Sequence, residues 1–268
     1  MEKILSATEY VSYDFYFLYL SKLSDEGMTS NAWHEHPFYE IMYFNKGGSE
    51  FVIENRQYEI KEGDVLLIKP GNHHFQRRIF DTENSLYCLG FHPDRIESRD
   101  LAEELFDRGH HFAIGKDNAL THLMIAGREK LKQNKADSEI FLKSICEAAI
   151  SILSDADMRR EKSKEIKNES VNKIIKFINE NLASIKNTED ITSALFFSES
   201  YLRTIFKREM GIGIMKYVRN KKLLLADRML RAGKKPTEIY SECGFLNYSS
   251  FYRAYLSHFG TSPKTRKL

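Results

Sequence analysis

Apolar and polar residues change period along the chain, and the changes divide it into three parts. From Phe38 to about His92 the pattern is one of short strands. Phe38–Phe44, Glu50–Ile53, Gln57–Ile60, Val65–Ile68 and Leu86–Phe91 are rich in β-branched and aromatic residues. Gly47-Gly48, Glu54-Asn55-Arg56, Gly63-Asp64 and Pro70-Gly71 stand between them as turns. Strands this short and this closely spaced predict a small antiparallel barrel or sandwich.

After about Asp117 the apolar positions recur at three and four residues. Leu120, Leu123, Met124 and Leu131 mark one helix; Ile140, Phe141, Ile145, Ala148, Ala149, Ile152 and Leu153 mark a second. The second apolar face fits either a dimer contact or packing on the chain's own barrel. Residues 159–168 hold seven charged side chains in ten and no apolar cluster, which predicts a linker.

Beyond the linker every segment reads as helical, and one unit occurs twice. A shift of 49 residues lays Ser198 on Asn247, Leu202 on Phe251, Phe206 on Tyr255 and Gly211 on Gly260. In the first copy Ser198 caps a helix to Met210, with a short helix of about Asp190–Leu195 before it. In the second, Pro236 opens a helix to about Cys243, Gly244 makes the turn, and Asn247 caps a helix to His258. One long helix, Ile214–Leu230, joins them. The exposed residues at the start of each second helix, Ser200, Arg203, Thr204 and Lys207, then Tyr248, Ser249, Tyr252 and Arg253, are placed as a recognition helix places them. Arg219 and Lys222 on the connector offer cations to phosphates. Arg203 fits a bidentate guanine contact or a phosphate contact equally well.

Charge sharpens this picture. The 268 residues carry a formal net charge of only +2, yet residues 166–268 hold 19 Lys and Arg against 9 Asp and Glu. That end is therefore +10, and the first 165 residues, with 21 against 29, are −8. A basic end on an acidic body suits a polyanion partner. With 42% apolar and 29% charged residues the chain is an ordinary globular one of two-domain length, and disordered and collagen-like classes are excluded. No apolar run approaches the roughly 18 residues of a membrane helix and no secretory leader opens the sequence, so a cytoplasmic protein is expected. Cys88, Cys146 and Cys243 lack any pairing or metal-ligand spacing and read as reduced core residues.

The last hundred residues resemble the DNA-binding domain of the AraC/XylS-type transcriptional regulators. The resemblance is carried by Ser198, Tyr201-Leu202, Ile205-Phe206-Lys207, Gly211, Tyr217, Leu223, Ala226, Ile239, Gly244-Phe245, Ser249, Phe251, Arg253, Gly260, Ser262 and Pro263. Thr192 and Tyr240 depart from the family's usual Ala, Phe196 from a Gly, Thr204 from an Arg and Leu256 from a Lys. In the barrel, His34, His36, Glu40 and Gly47 look like the first cupin motif, and Gly63 to Pro70-Gly71 with His73 and His74 resembles the second, without its usual spacing and later Asn.

These resemblances imply an α+β multidomain chain. Residues 1–116 form a cupin-like antiparallel β-barrel sensor, 117–158 a helical dimerisation and connector segment, 159–168 a linker, and 169–268 an all-α double helix-turn-helix domain. The implied partners are double-stranded DNA, a small-molecule effector, a second copy of the chain and RNA polymerase; no catalysis, cofactor or membrane is implied. The family's sensor residues contact a small organic ligand or simply pack, without metal. The expected pocket is Trp33, His34, His36, Glu40, Tyr43, His74 and Phe91, with aromatic rings suited to a sugar or other polar metabolite. The rival reading makes His34, His36, Glu40 and His74 the metal ligands of a cupin oxygenase or isomerase with a fused DNA-binding domain.

Overall fold

Tyr39, Ile41 and Tyr43 alternate along one strand with Glu40, Met42 and Phe44, and both sets are buried, so this strand has protein on both faces. That strand is the middle of the first half of the chain in the computed structural model, which describes residues 3–12, 14–23, 34–79, 83–133, 138–156, 159–160, 164–165, 168–259 and 261–264. The chain divides into two compact units, Met1–Glu165 and Ile166–Leu268.

In the first unit the strands are β1 (Lys3–Val11), β2 (Phe15–Leu23), β3 (Tyr39–Lys46), β4 (Ser49–Ile53), β5 (Arg56–Ile60), β6 (Asp64–Ile68), β7 (His74–Ile79) and β8 (Glu83–Phe91). After them come α1 (Arg99–Asp107), β9 (His111–Ala113), α2 (Ala119–Gln133), α3 (Ser138–Asp155), β10 (Arg159–Arg160) and β11 (Lys164–Glu165). They form one sheet in the order β1-β2-β8-β3-β6-β9-β10 and a smaller one in the order β11-β5-β4-β7, antiparallel throughout.

The inner faces of the two sheets meet over Met42, Phe44, Phe51, Ile53, Tyr58, Ile60, Leu66, Ile68, Leu86 and Cys88. The other face of the large sheet, with Phe17, Ile41, Tyr43, Leu67, Leu89 and Phe91, is covered by α1 to α3. This explains why β6 and β8 read as nearly unbroken apolar runs: a strand buried on both sides has no polar face to alternate. Arg128 of α2 lies 3.6 Å over the Tyr19 ring, a cation–π contact.

Of the seven residues on the apolar face expected to form a dimer contact or pack on the barrel, Ile145, Ala149 and Leu153 are core against the sheet. Phe141, Ala148 and Ile152 are half-buried, and Ile140 is 75% exposed. Within the expected linker, residues 159–160 form β10, paired with β9, residues 164–165 form β11, paired with β5, and the division between the two units falls after Glu165.

The second unit is helical: α4 (Glu169–Asn181), α5 (Thr188–Leu195), α6 (Glu199–Met210), α7 (Ile214–Arg231), α8 (Pro236–Glu242) and α9 (Tyr248–Phe259). Caps set the boundaries. Asn187 and Asp190 close a capping box on α5, and Ser198 Oγ accepts from Tyr201 N at the start of α6. Gly211 ends α6 at φ +64°, and Asn247 Oδ1 accepts from Ser250 N at 2.8 Å before α9. Gly260, the second copy's expected terminal Gly, lies outside the described residues.

Candidate functional site

The expected nucleic-acid face depends on which sides of α6 and α9 are not used in packing. Leu202, Ile205 and Phe206 of α6 are buried, with Phe206 edge-on to Tyr217 of α7. Turned away from them, Ser200, Arg203, Thr204 and Lys207 are exposed. On α9, Phe251 and Tyr255 are buried, Ser249 and Arg253 are exposed, and Tyr248 and Tyr252 are half-buried. Tyr248 packs on Tyr240 of α8 and on Phe251, so it is more a wall of the domain than a reader. Arg219 is exposed on α7.

Arg203 already has partners. Its Nε and Nη2 donate to Glu199 Oε1 at 2.8 and 2.5 Å, and Nη2 also donates to Thr188 Oγ1 at 3.1 Å. The fork is held in place at the start of α6, and any other acceptor must compete with Glu199 for it.

Lys222 overturns its expected role. It is 5% exposed, and its Nζ donates to the carbonyl oxygens of Ile185 and Gly244 at 2.5 and 2.9 Å. Burial pushes its pKa down from the ordinary value. Such a lysine holds the domain together and reaches no phosphate. α7 is covered on more than one side, which also buries Asn220 and Asp227. Tyr255 donates to Asp227 Oδ1, and Arg231 Nε donates to Asp227 Oδ2 at 2.8 Å, so α9 is tied to α7 by a buried carboxylate. Period-counting missed these polar residues because they stand on the apolar face.

The two turns solve one problem differently. Each needs a left-handed residue; Gly244 supplies it at φ +79° in the second, whereas Phe196 does so at φ +57° in the first, with its side chain 93% exposed.

The candidate sensor site lies at one end of the two-sheet unit. His34 and His74 exchange both backbone hydrogen bonds, at 3.1 and 3.0 Å, as a pair of directly opposed residues. Their rings therefore stand side by side, with centroids 4.1 Å apart. Two residues on, His36 falls on the same face, its ring 4.9 Å from His74. Four further on, Glu40 of β3 completes the row: His36 Nε2 lies 3.0 Å and His74 Nε2 3.5 Å from Glu40 Oε2. Burial pushes the Glu40 carboxyl up, but His36 and His74 outweigh it and hold it well below the usual range.

Alternation sends the odd residues the other way. Glu35 Oε2 meets His73 Nδ1 at 2.7 Å, both buried, and His73 N donates to Glu54 Oε1 at 2.8 Å. By the same rule Tyr43 and Phe91 leave the expected pocket: both pack in the cluster beneath the helices. Tyr43 Oη donates to Lys116 O at 3.0 Å and accepts from Thr121 Oγ1 at 2.8 Å. Trp33 lies outside the described residues.

Two rings that the sequence reading omitted take their place. Phe38 continues the row of even positions, 5.9 Å from His36. Tyr16 of β2 lies 6.3 Å from His36 and 5.5 Å from Phe38, and hydrogen-bonds Glu40. Tyr16 gets there because its register neighbour is Gly90, which in turn sits opposite Glu40. A Cβ on Gly90 would stand 1.8 Å from Tyr16 Cε1. The alternating aromatics from Phe15 to Tyr19 were the available signal for this strand.

The chain's similarities to known proteins fall on the same two units. A profile for the AraC-like ligand binding domain matches residues 23–150, and one for a helix-turn-helix domain matches residues 191–267. The probable transcriptional regulator LumQ of Photobacterium leiognathi is 25% identical over 237 residues, 87% of this chain and 91% of LumQ. The transcriptional activator RhaR of Yersinia pestis is 24% identical over 243 residues, 86% of this chain and 82% of RhaR. Among solved structures, ToxT from Vibrio cholerae is 14% identical, with 95% of this chain and 97% of that one covered and a TM-score of 0.38.

Proposed function

The chain belongs to the AraC family of transcriptional regulators, with a ligand-binding domain followed by a helix-turn-helix DNA-binding domain, and from that premise we propose what each part does. The second unit reads double-stranded DNA through α6 and α9. Ser200, Arg203, Thr204, Lys207, Ser249 and Arg253 face the grooves, with Tyr252 at their margin, and Arg219 meets a phosphate. The observation that carries this is the pair of capped helices whose exposed starts hold these groups in the unit, residues 166–268, that is +10. The first unit senses a small polar molecule, such as a sugar, at His34, His36, Glu40 and His74, with Tyr16 and Phe38 as the rings against which it stacks.

Both matched domains and the relatives are those of regulators, and no catalysis is proposed. The protein acts in the cytoplasm, where its DNA is, as a homodimer that acts on RNA polymerase. Phe141, Ala148, Ile152 and exposed Ile140 on α3 supply the dimer contact that Ile145 and Leu153 do not. An effector alters DNA occupancy only by favouring one arrangement of the protein over another.

The test is a footprint of the full chain on fragments around its own gene, repeated over a range of salt and with polar metabolites added. A protected site whose log binding constant falls linearly with log salt is expected. Absence of a site overturns the DNA reading; a metabolite that binds tightly and leaves both affinity and footprint unchanged overturns the sensor reading.

A further inference from the structure

The small sheet joins the sensor site to the end of the first unit in a single row. Its strands run in the order β11-β5-β4-β7, so β7, which carries His74, is one edge and β11 is the other. His34 is opposed to His74, His74 to Ile53, Ile53 to Arg56, and Arg56 to Glu165. Each step is a backbone pairing, and together they cross the whole sheet. Glu165 is the last residue of the first unit, and Asn168 already caps α4 of the second.

A second tie runs beside that row. Glu54 and Asn55 make the turn between Ile53 and Arg56, and Glu54 stands at φ +53°, in the left-handed region that costs a residue with a side chain. His73, next to His74, holds it there: Glu54 N donates to His73 O at 2.7 Å, and His73 N donates to Glu54 Oε1 at 2.8 Å. A strained turn persists only where its surroundings fix it. A shift of residues 73 and 74 toward a bound molecule therefore reaches Arg56 by two routes, along the ladder and through the turn.

The element able to answer is β11. It is two residues long, and so short a pairing is worth little against water, which leaves docked and released forms close in free energy. Docking also sets the length of the tether to the second unit. With β11 paired, three residue steps join Glu165 to Asn168, about 10 Å of extended chain. With β11 released and β10 still paired, eight steps join Arg160 to Asn168, about 27 Å.

We propose that β11 is a switch: it docks on β5 or leaves it according to what the pocket holds, and so keeps the DNA-binding unit on a short tether or frees it on a long one. In a dimer the short tether restricts the two reading units to one half-site spacing, and the long one admits several. The switch rests on the sensor and DNA readings for what sets it and what it changes; the row of pairings does not depend on either.

Hydrogen exchange of the full chain, without effector or DNA, tests the row. Glu54→Ala removes the carboxylate that accepts from His73 N, and His34→Pro removes the N–H that donates to His74 O. Each is expected to speed exchange at Lys164 and Glu165 by about fivefold or more, while Arg159 and Arg160 of β10, paired in the other sheet, keep the parent's rate. Glu54→Gln, which keeps an acceptor, restores the parent's rate at β11. Exchange at β11 that ignores both variants, or that rises equally at β10, overturns the row. For the tether, Gln57→Cys combined with Lys164→Cys puts two thiols at directly opposed positions, a separation that a disulfide spans. The chain's own Cys88, Cys146 and Cys243 are buried. Oxidised, this variant is expected to bind the footprinted site as its reduced form does, but to lose about tenfold or more on a copy whose half-sites stand half a helical turn further apart. The reduced form, free to leave β5, loses far less on that copy. Equal spacing tolerance in the two forms overturns the switch. A chain that protects no site at all overturns the DNA reading instead, and the exchange result still decides the row.

Discussion

Lys222 Nζ, in the middle of α7, donates to the Gly244 carbonyl oxygen at 2.9 Å, in the turn of the second helix pair. The same ammonium bonds Ile185 O, just before the first pair. The close approach needs a glycine: a Cβ at residue 244 would lie 2.7 Å from Lys222 Nζ and 2.1 Å from Ala183 O. One buried charge thus joins both halves of the domain to the helix between them.

Replacing Lys222 by Met removes the donor and strands two carbonyl oxygens. We expect a loss of about 1 to 3 kcal/mol of stability, read from urea unfolding of the full chain at the transition of its helical unit. DNA binding by the folded fraction keeps the parent's salt slope. Arg219→Ala, at an exposed site, leaves stability alone and flattens that slope by about one unit. A flattened slope for the Lys222 variant with unchanged stability would return it to the phosphate contacts.

Gly90→Ala drives a methyl group into the Tyr16 ring. Overpacking of this kind costs about 1 to 3 kcal/mol. Because the ring is displaced from Glu40 and His36, effector binding weakens more than DNA binding does. Paired thermal unfolding and effector titrations check this; an alanine variant that binds effector as the parent does shows that Tyr16 is no part of the pocket.

How far the sequence reached depended on whether a residue's role was local. Strands β3 to β6 and β8, helices α2 and α3 and every helix from α4 onward are visible in period and cap residues. The double-sided burial of the large sheet is not, because Tyr43 and Glu40 differ by an odd step but nothing local says that both faces are covered. His34, His36, Glu40 and His74 were legible as a set through their resemblance to the two cupin motifs, and the structure brings them together. Tyr16 was not, since its place depends on Gly90, 74 positions away in the chain. Lys222 was misassigned for a related reason: a cation on a basic helix reads as exposed until two distant carbonyls are folded onto it.

Arg203→Ala is expected to cost about 1 to 3 kcal/mol at a single base pair, with little change at other positions. Glu199→Gln frees the guanidinium and tightens DNA binding. It barely alters stability, since the pair is exposed and such pairs are worth about 0 to 1 kcal/mol. Affinities over an operator library at fixed salt decide the matter, and a uniform loss in the Arg203 variant assigns it to phosphate.

The capping box on α5 makes the first helix pair sensitive to acid. Asp190 Oδ2 accepts from Lys186 N at 2.6 Å and Asn187 N at 3.0 Å, and these backbone bonds hold its carboxyl below the ordinary 3.8. A carboxyl whose folded value is lowered binds fewer protons when folded than when unfolded. Its contribution is therefore complete above about pH 4 and fades as pH falls through the lowered value. Asn187→Ala, which removes the other half of the box, costs about 1 kcal/mol at neutral pH. Asp190→Asn loses stability at neutral pH, but the loss shrinks toward pH 3, because the parent is by then losing the same charge. Urea midpoints of the two variants and the parent at pH 7 and pH 3 provide the measurement. A deficit in Asp190→Asn that stays constant with pH would mean that shape, rather than charge, holds the start of α5.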